Sequence, residues 1–454
     1  MNQTIKYVGR EIPLLGYWDT VIIGGGSAGA TAGIASARGG NSTLIVDKCI
    51  RLGGTSTNAL VTPMMKSFTG HHSIFFEIEQ MLTDLGENTR DCVKMGNLWF
   101  TPELLVEVLE TLYTEAGGEV LYDAAFCDCV LENGKLRYLI FSAVDGLCAV
   151  AGGNFVDASG DAVLVRSAGV PYAHGDEEGN NQLSSLRFEM GGVDIARYRD
   201  YLLSIGDDRG CLGKNYFYEA SMVGGDGWAL EPLFRKAVAD GVLEEEDLHY
   251  FQGFVMPSKP NCITFNCPHL VALKDNTHAM DRSRNILRGR KMIRRLVRFL
   301  CGYVPGFENA YLQQEASMLG VRESFRLCGK YELTENAYSD RARFTDGVAR
   351  GDWLIDIHTA TKGLYHRDVY QHGDYYDIPY RSMICDQVEN LVVAGRCISA
   401  SFRMQASVRI TPTCIDMGQA AGEACVYARQ NGIPLNAIDG AVLCQRLPYQ
   451  ERLL

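Results

Sequence analysis

"TVIIGGGSAGATAGIASARGGNSTLIVDK", Thr20 to Lys48, runs from an apolar strand through a glycine loop and a small-residue helix to a second apolar strand closed by an acid. Gly24, Gly26 and Gly29 form G-x-G-x-x-G between the first strand and the helix. The first glycine permits a tight turn, the second lets backbone approach a pyrophosphate, and the third lets helix and strand pack closely. The helix start at Ser27 and Ala28 adds free N–H groups and a partial positive charge. Asp47, with Lys48 beside it, ends the second strand where a ribose diol would lie, and an acid there repels a 2′-phosphate. The stretch therefore reads as a dinucleotide-binding unit with NADP disfavoured. The choice between NAD and FAD falls to the rest of the chain.

At 454 residues the chain exceeds one simple core, so two domains, or one large domain carrying an inserted second, are expected. With 55 acidic against 43 basic residues, the net charge of −12 disfavours nucleic acid as the main partner. The 15 cysteines are odd in number and irregularly spaced, without a CxxC pair or a Cys/His set at zinc spacing. Reduced thiols and no bound metal follow as expectations. The N-terminus lacks a charged leader followed by an apolar core, and no apolar run approaches the roughly 18 residues that span a bilayer. A cytoplasmic protein with no membrane partner is the resulting expectation.

After the opening unit comes "CIRLGGTSTNALVTPMMKSFTGHH", a loop too polar for a core, whose His71-His72 reads as a lid or as surface. "TPELLVEVLETLYTEAGG" predicts a helix with Thr101 as N-cap, Pro102 as first residue and Gly117 as stop. Glu119 to Val156 reads as an antiparallel meander turning at Asn133-Gly134 and Asp145-Gly146. From about Arg166 to Asp377 the alternation of strand and helix loses its regularity. An α/β architecture is expected: a Rossmann-like domain with a parallel sheet and a meander over 1–165 and 378–454, and an inserted α+β substrate or cap domain over 166–377. Within the insert, "NTHAMDRSRNILRGRKMIRRLVRFLCG" predicts a helix with an apolar stripe of Ile286, Ile293, Leu296, Val297 and Leu300, and eight Arg or Lys between Arg282 and Arg298. That basic face either pairs with acids such as Glu244 to Asp247 or binds RNA.

Three later segments separate FAD from NAD. Arg51 to Ser56, "RLGGTS", lets backbone and hydroxyl donors approach an anionic or carbonyl group. "FVDASGDAVLV" runs an apolar strand into Ala158, Ser159, Gly160 and Asp161. "NLVVAGRCISA" leads to a helix with Gly418 and Gly422. With these segments in order, the chain resembles the FAD-dependent oxidoreductases of the glutathione-reductase-like, fumarate reductase-type flavoprotein superfamily. The resemblance spans Thr20 to Gly422 and implies an extended FAD. It would place Gly24 to Gly29 at the pyrophosphate, Asp47 at the adenosine ribose and the backbone of Ala125 and Phe126 at adenine. Gly53, Gly54, Thr55, Ser56, Thr57 and Asn58 would line the flavin side, and Ala158 to Asp161 would close over the adenosine half. Gly395 and Arg396 would meet the ribityl chain. The helix from near Thr413, with Gly418 and Gln419, would point its N-terminus at the flavin N1 and O2 edge.

For substrate chemistry, "GVRESFR" and "DWLIDIH" carry Arg322, Glu323, Arg326, Asp356 and His358. Both segments resemble family motifs, except that Phe325 stands where a second arginine is common. Arg322 with Glu323 reads as a structural ion pair or as part of the site. Asp356 and His358 alternate on a predicted strand, so an oriented acid–base pair and a hydrogen-bonded structural histidine are both open. Arg403 and Arg409 flank the flavin-facing helix, where a cation would stabilise reduced flavin or hold an anionic substrate. Cys262 and Cys267 are not a CxxC redox pair, and no second G-x-G-x-x-G follows Gly160. Electrons are thus expected from the substrate, a quinone or another protein. The leading expectation is an FAD enzyme moving a hydride between flavin N5 and a small organic substrate under the cap. The alternatives are a flavin-dependent RNA-modifying protein and a flavoprotein whose FAD is structural.

Overall fold

Parallel strands covered on both faces demand near-continuous apolar runs, and two such runs begin the fold. The computed structural model describes residues 4–87, 98–207, 218–222, 227–256, 258–359, 363–365 and 370–451. The first sheet contains β1 (Thr4–Tyr7), β2 (Arg10–Ile23), β3 (Thr43–Val46), β4 (Glu119–Leu121), β5 (Ala125–Glu132), β6 (Lys135–Ala143) and β7 (Gly146–Asp157). It runs in the order β4-β3-β2-β7-β6-β5. The β2, β3, β4 and β7 pairings are parallel, while β5, β6 and the first half of β7 form the antiparallel meander. Both turn signals hold: Asn133 and Gly134 have positive φ, as a two-residue primed turn requires, and Gly146 sits at φ 120.

Two helices brace this sheet. Helix α1 (Ser27–Arg38) follows the glycine loop, and its alanines and glycines leave a thin, almost wholly buried cylinder. Helix α2 (Pro102–Glu115) has Thr101 at its N-cap and buries Leu105, Val108, Leu109 and Leu112, while Leu104 is only partly covered. The hairpin of β1 with β2 carried no sequence signal. Its turn uses Val8 and Gly9 at positive φ, and Val-Gly is not a usual primed-turn pair.

The second sheet is antiparallel throughout. Strands β8 (Phe188–Gly191), β9 (Tyr218–Met222), β10 (Tyr250–Met256), β11 (Lys259–Phe265) and β12 (Tyr311–Glu315) lie in the order β9-β10-β11-β8-β12. Helix α3 (Ala279–Tyr303) packs Ile293, Leu296, Phe299 and Leu300 into its core, leaving Ile286 and Val297 at the margin. Phe188 and Phe265 stack there at 4.8 Å. We propose an inserted unit narrower than 166–377. The second core draws on Leu186 to Val321 together with Leu60 and Trp99, whereas Phe325 to Ile384 pack on the first core. The chain returns through β13 (Leu391–Val393), parallel to β7, and helix α4 (Thr411–Asn431), which ends on left-handed Gly432. Helix α4 lies against α1 so closely that a Cβ at Gly418 would stand 2.1 Å from the Ala28 carbonyl, and one at Gly422 2.3 Å from that of Ala32.

The basic helix is a paired face. Arg295 contacts Glu244 at 3.0 Å, Glu246 at 2.6 Å and Asp247 at 2.6 Å, and Arg288 meets Glu246. His71 and His72 are neither surface nor lid. Both are buried: His71 Nδ1 lies 2.7 Å from Asp416, whose second oxygen accepts the His72 N–H, while His72 Nε2 lies 2.8 Å from the Val348 carbonyl.

Candidate active site

One continuous cavity, about 1900 Å³ with its open mouth included, runs from the glycine loop to the residues around His358. At its outer end Gly24 takes φ +90, and a Cβ there would meet the Ala158 carbonyl at 2.7 Å. Gly29 is tighter, since its Cβ would fall 1.8 Å from the Gly24 carbonyl. At Gly26 the nearest atom to an added Cβ is the Gly54 Cα at 3.8 Å, so this backbone faces open space. The first-turn N–H groups of α1 at Ser27 and Ala28 line that space, and no side chain caps them. Asp47 forms one wall, with its carboxylate accepting the Gly25 and Cys49 N–H groups at 2.7 Å each. Lys48, Ala125 and Phe126 complete this end.

In the middle, the second glycine loop lies on the first, Gly53 donating its N–H to the Gly25 carbonyl at 2.8 Å. Gly54 and Thr55 reach the cavity, while Gly53, Ser56, Thr57 and Asn58 sit behind them. Thr57 donates its hydroxyl to the Leu52 carbonyl at 2.6 Å, and Asn58 accepts the Met318 N–H through its own carbonyl. Ala158, Ser159, Gly160 and Asp161 line the opposite wall. Their loop is held by Asp157, which accepts from Ser159, Leu164 and Val165. Arg396 pairs with Asp161 at 2.8 Å, and Ser324 donates to the same carboxylate. Burial alone would raise the Asp161 carboxyl, but Arg396 and Lys48 hold it below the usual range. Gly395 and the start of α4 at Thr411 and Cys414 follow.

The inner end gathers ionisable side chains. His358 Nε2 lies 3.2 Å from Asp356 Oδ2, and Arg409 donates to the Asp356 backbone carbonyl at 3.0 Å. An Nε2–H bonded to Asp356 leaves Nδ1 as a bare lone pair, and Nδ1 is buried with no partner among the described residues. Burial, then Arg322, push the His358 imidazole down to about 3, so it is neutral. Burial would raise Asp356, but His358, Arg409 and Arg322 outweigh it and hold the carboxyl well below its usual range. Arg322 does not pair with Glu323: it donates to the Leu183 carbonyl at 2.8 Å and the Ser185 hydroxyl at 2.7 Å, and its Nη2 lies 3.1 Å from His269 Nε2. Glu323 instead pairs with Arg326 and accepts from Gly175 and Asn181. Phe325 packs under the Arg166 guanidinium, 3.8 Å from its ring centre.

Besides Gly29, Gly53, Ser56, Thr57 and Asn58, four further sequence candidates do not line the cavity. Arg403 is about half exposed, 3.9 Å from Glu177. Gly418 is the contact point of α1 with α4, and Gln419 accepts the Ile74 N–H at 3.0 Å and donates to Ser73, tying down another helix. Thr413 is buried in the first turn of α4, which begins at Thr411. Sequence reading in turn passed over Arg187, Ser185, Asn266 and Arg282, all of which line the cavity. The available signal was an arginine between Leu186 and Phe188, an unusual residue at a buried position, here just before β8.

A glycine-loop cradle open at Gly26, an uncapped helix start and the Asp47 carboxylate share one cavity that a second core closes. The residues from both chain ends fit FAD, since the cradle continues past Gly54 to Arg396 and the α4 start. The chain belongs to the FAD dependent oxidoreductase family, which matches residues 19–447. It is an FAD-dependent oxidoreductase, with FAD as its cofactor. Among solved structures it is similar to a geranylgeranyl bacteriochlorophyll reductase-like protein from Thermoplasma acidophilum, at 11% identity and TM-score 0.49 over 95% of this chain and 84% of that one. It is also similar to p-nitrophenol 4-monooxygenase PnpA from Pseudomonas putida DLL-E4, at 8% identity and TM-score 0.49 over the same shares, and to the flavin-dependent brominase Bmp2, at 14% and 0.44 over 95% and 82%. No curated protein matches the sequence. Among the described residues, no helix is long and apolar enough to cross a membrane.

Proposed function

We propose that the chain oxidises or reduces a small organic substrate held at the inner end of the cavity, with His358 and Asp356 as the acid–base pair. Bound FAD supplies hydride transfer at its N5 position. The observation that carries the reading is His358 on the same cavity as the glycine-loop cradle, its Nδ1 without a partner among the described residues. Asp356 fixes the ring and Arg409 fixes Asp356, so Nδ1 is held to take a proton from the substrate or to return one. Residues Gly24 to Ala28, Asp47 and Gly54 would bind the cofactor's pyrophosphate and ribose, and Ala158 to Asp161, Gly395 and Arg396 its middle. The start of α4 would offer its partial positive charge to the ring system.

The test is spectroscopic. Purified protein is expected to show flavin bands, which bleach when a substrate from a metabolite panel is added without oxygen or when reducing equivalents are supplied. His358→Gln is expected to keep the flavin and lose roughly 10²–10⁴ in turnover, the usual share of a positioned acid–base group. Loss of flavin in that variant would assign His358 to the fold instead. Flavin that no donor reduces would favour a structural cofactor.

A further inference from the structure

The inner end of the cavity holds an imbalance of charge that the acid–base pair does not use. Arg187, Arg322 and Arg409 all line it, Arg187 and Arg322 buried and Arg409 partly covered, and the facing carboxylate among the described residues is Asp356. Arg409 is engaged with Asp356, which leaves Arg187 and Arg322. Neither forms an ion pair with any described residue. Arg187 donates to the Leu60 carbonyl at 3.0 Å, and Arg322 to neutral oxygens and an imidazole nitrogen. Guanidinium groups are rarely buried without an anion, because desolvating the charge costs several kcal/mol that neutral acceptors only partly offset. Burial first, then a neighbouring arginine, push Arg187 down to about 9 and Arg322 to about 10.

The surroundings orient these two groups. His269 stacks on Tyr250 at 4.0 Å and 8°, and lies edge-on to His358 at 5.0 Å. It takes the Arg322 N–H on Nε2, since a guanidinium can only donate, so His269 is neutral and its Nδ1 carries the hydrogen. Burial, then Arg322, hold it well below its usual range. Asn266 accepts from Arg322 at 3.3 Å and donates to Gln252 at 2.6 Å. Beside them Met318, Leu319, Val321, Val61 and Met65 give the cavity an apolar wall.

We propose that Arg187 and Arg322 form a subsite for the carboxylate of an organic acid, whose apolar body lies along the Met318 to Val321 wall and whose reacting carbon faces His358. The assignment rests on the flavoenzyme reading and names its substrate class. An anion here satisfies both guanidiniums. It also offsets the field that keeps His358 from accepting a proton, so substrate binding itself raises the basicity of Nδ1.

The test uses the FAD-loaded protein and matched pairs of probes: benzoate against benzamide, and hexanoate against hexanamide, with phenyl phosphate as a second headgroup. Binding is read by calorimetry, and the flavin difference spectrum is recorded alongside. At least one carboxylate is expected to bind ten-fold or more tightly than its amide, and Arg187→Gln and Arg322→Gln each to abolish that preference while retaining flavin. Arg322→Lys is expected to restore it in part. If neither acid outbinds its amide, or if both glutamine variants keep the preference, the proposal is overturned. Tighter binding of phenyl phosphate than of benzoate would overturn the carboxylate assignment. Because calorimetry needs no flavin signal, wild-type discrimination between acid and amide decides the subsite even if the variants fail to fold. A protein that prefers carboxylates but whose flavin cannot be reduced would sink the redox reading alone.

Discussion

Gly26 and Gly29 stand three residues apart in one motif and answer to different physics. A methyl at Gly29 collides with the Gly24 carbonyl at 1.8 Å, whereas one at Gly26 enters cofactor space. Gly29→Ala is therefore expected to destabilise the cofactor-free protein by about 1–3 kcal/mol. Gly26→Ala should leave its melting temperature nearly unchanged and weaken FAD retention, as cofactor-free thermal melts and flavin content after gel filtration would check. His358 makes a second prediction at this scale. Its folded-state value near 3 lies below the ordinary 6.5, so between those pH values the unfolded chain holds a proton that the folded one refuses. Stability should fall as pH drops through that window. Asp356, depressed in the fold, adds its own loss at lower pH as it protonates. His358→Gln should flatten the acid limb by up to about 1.4 kcal/mol per pH unit, measured by urea midpoints across pH. His269, also depressed, keeps part of the slope. The glycine positions were legible in sequence because their spacing is local. The pairing of Arg322 was not: its partners at Leu183, Ser185, Asn266 and His269 lie on other segments, and Glu323 beside it turns to Arg326 instead.

At the scale of elements, α3 shows how one amphipathic helix spends its charge. Arg295 is mostly covered and meets the fully buried Asp247, while Arg288 is half exposed. Arg295→Gln leaves Asp247 without its cation and is expected to cost about 2–3 kcal/mol. Arg288→Gln should cost less than about 1 kcal/mol, since water screens that pair. Chemical denaturation of the two variants makes the comparison. The eight basic residues could be counted, and pairing with Glu244 to Asp247 named, from the sequence, but that Arg288 and Arg295 are the ones that reach those acids needed the chain folded. Helix α4 carries a parallel case. Gly418 was expected at the cofactor, yet the contact it permits is with Ala28 and Thr31 of α1. Gly418→Ala should lower the melting temperature of cofactor-free protein by several degrees, a loss that FAD binding would not explain.

Across the whole molecule, two hydrophobic cores meet around one cavity. Lys48, Asp161 and Arg396 reach it from the first, and Arg187, Asn266 and Arg282 from the inserted unit. A ligand bound there stabilises both. FAD at a hundred times its Kd is expected to add about 2.7 kcal/mol and to merge the unfolding of the two cores into one transition. Differential scanning calorimetry with and without FAD tests this, and two transitions that persist in saturating FAD would show that the cofactor engages one core alone. The opening stretch from Thr20 to Lys48, by itself, determined the dinucleotide cradle, because strand, turn, helix and acid are set by residues within reach of one another along the chain. Helices α2 and α3 and the meander turns follow from periodicity and turn chemistry for the same reason. Arg322, His358 and Arg409 were candidates in the sequence, but tertiary structure alone added Arg187 and Asn266 and brought the five together from separate segments at the inner end of the cavity. A buried charge takes its partners from whatever the fold brings within a few ångströms, and linear spacing carries no record of that distance.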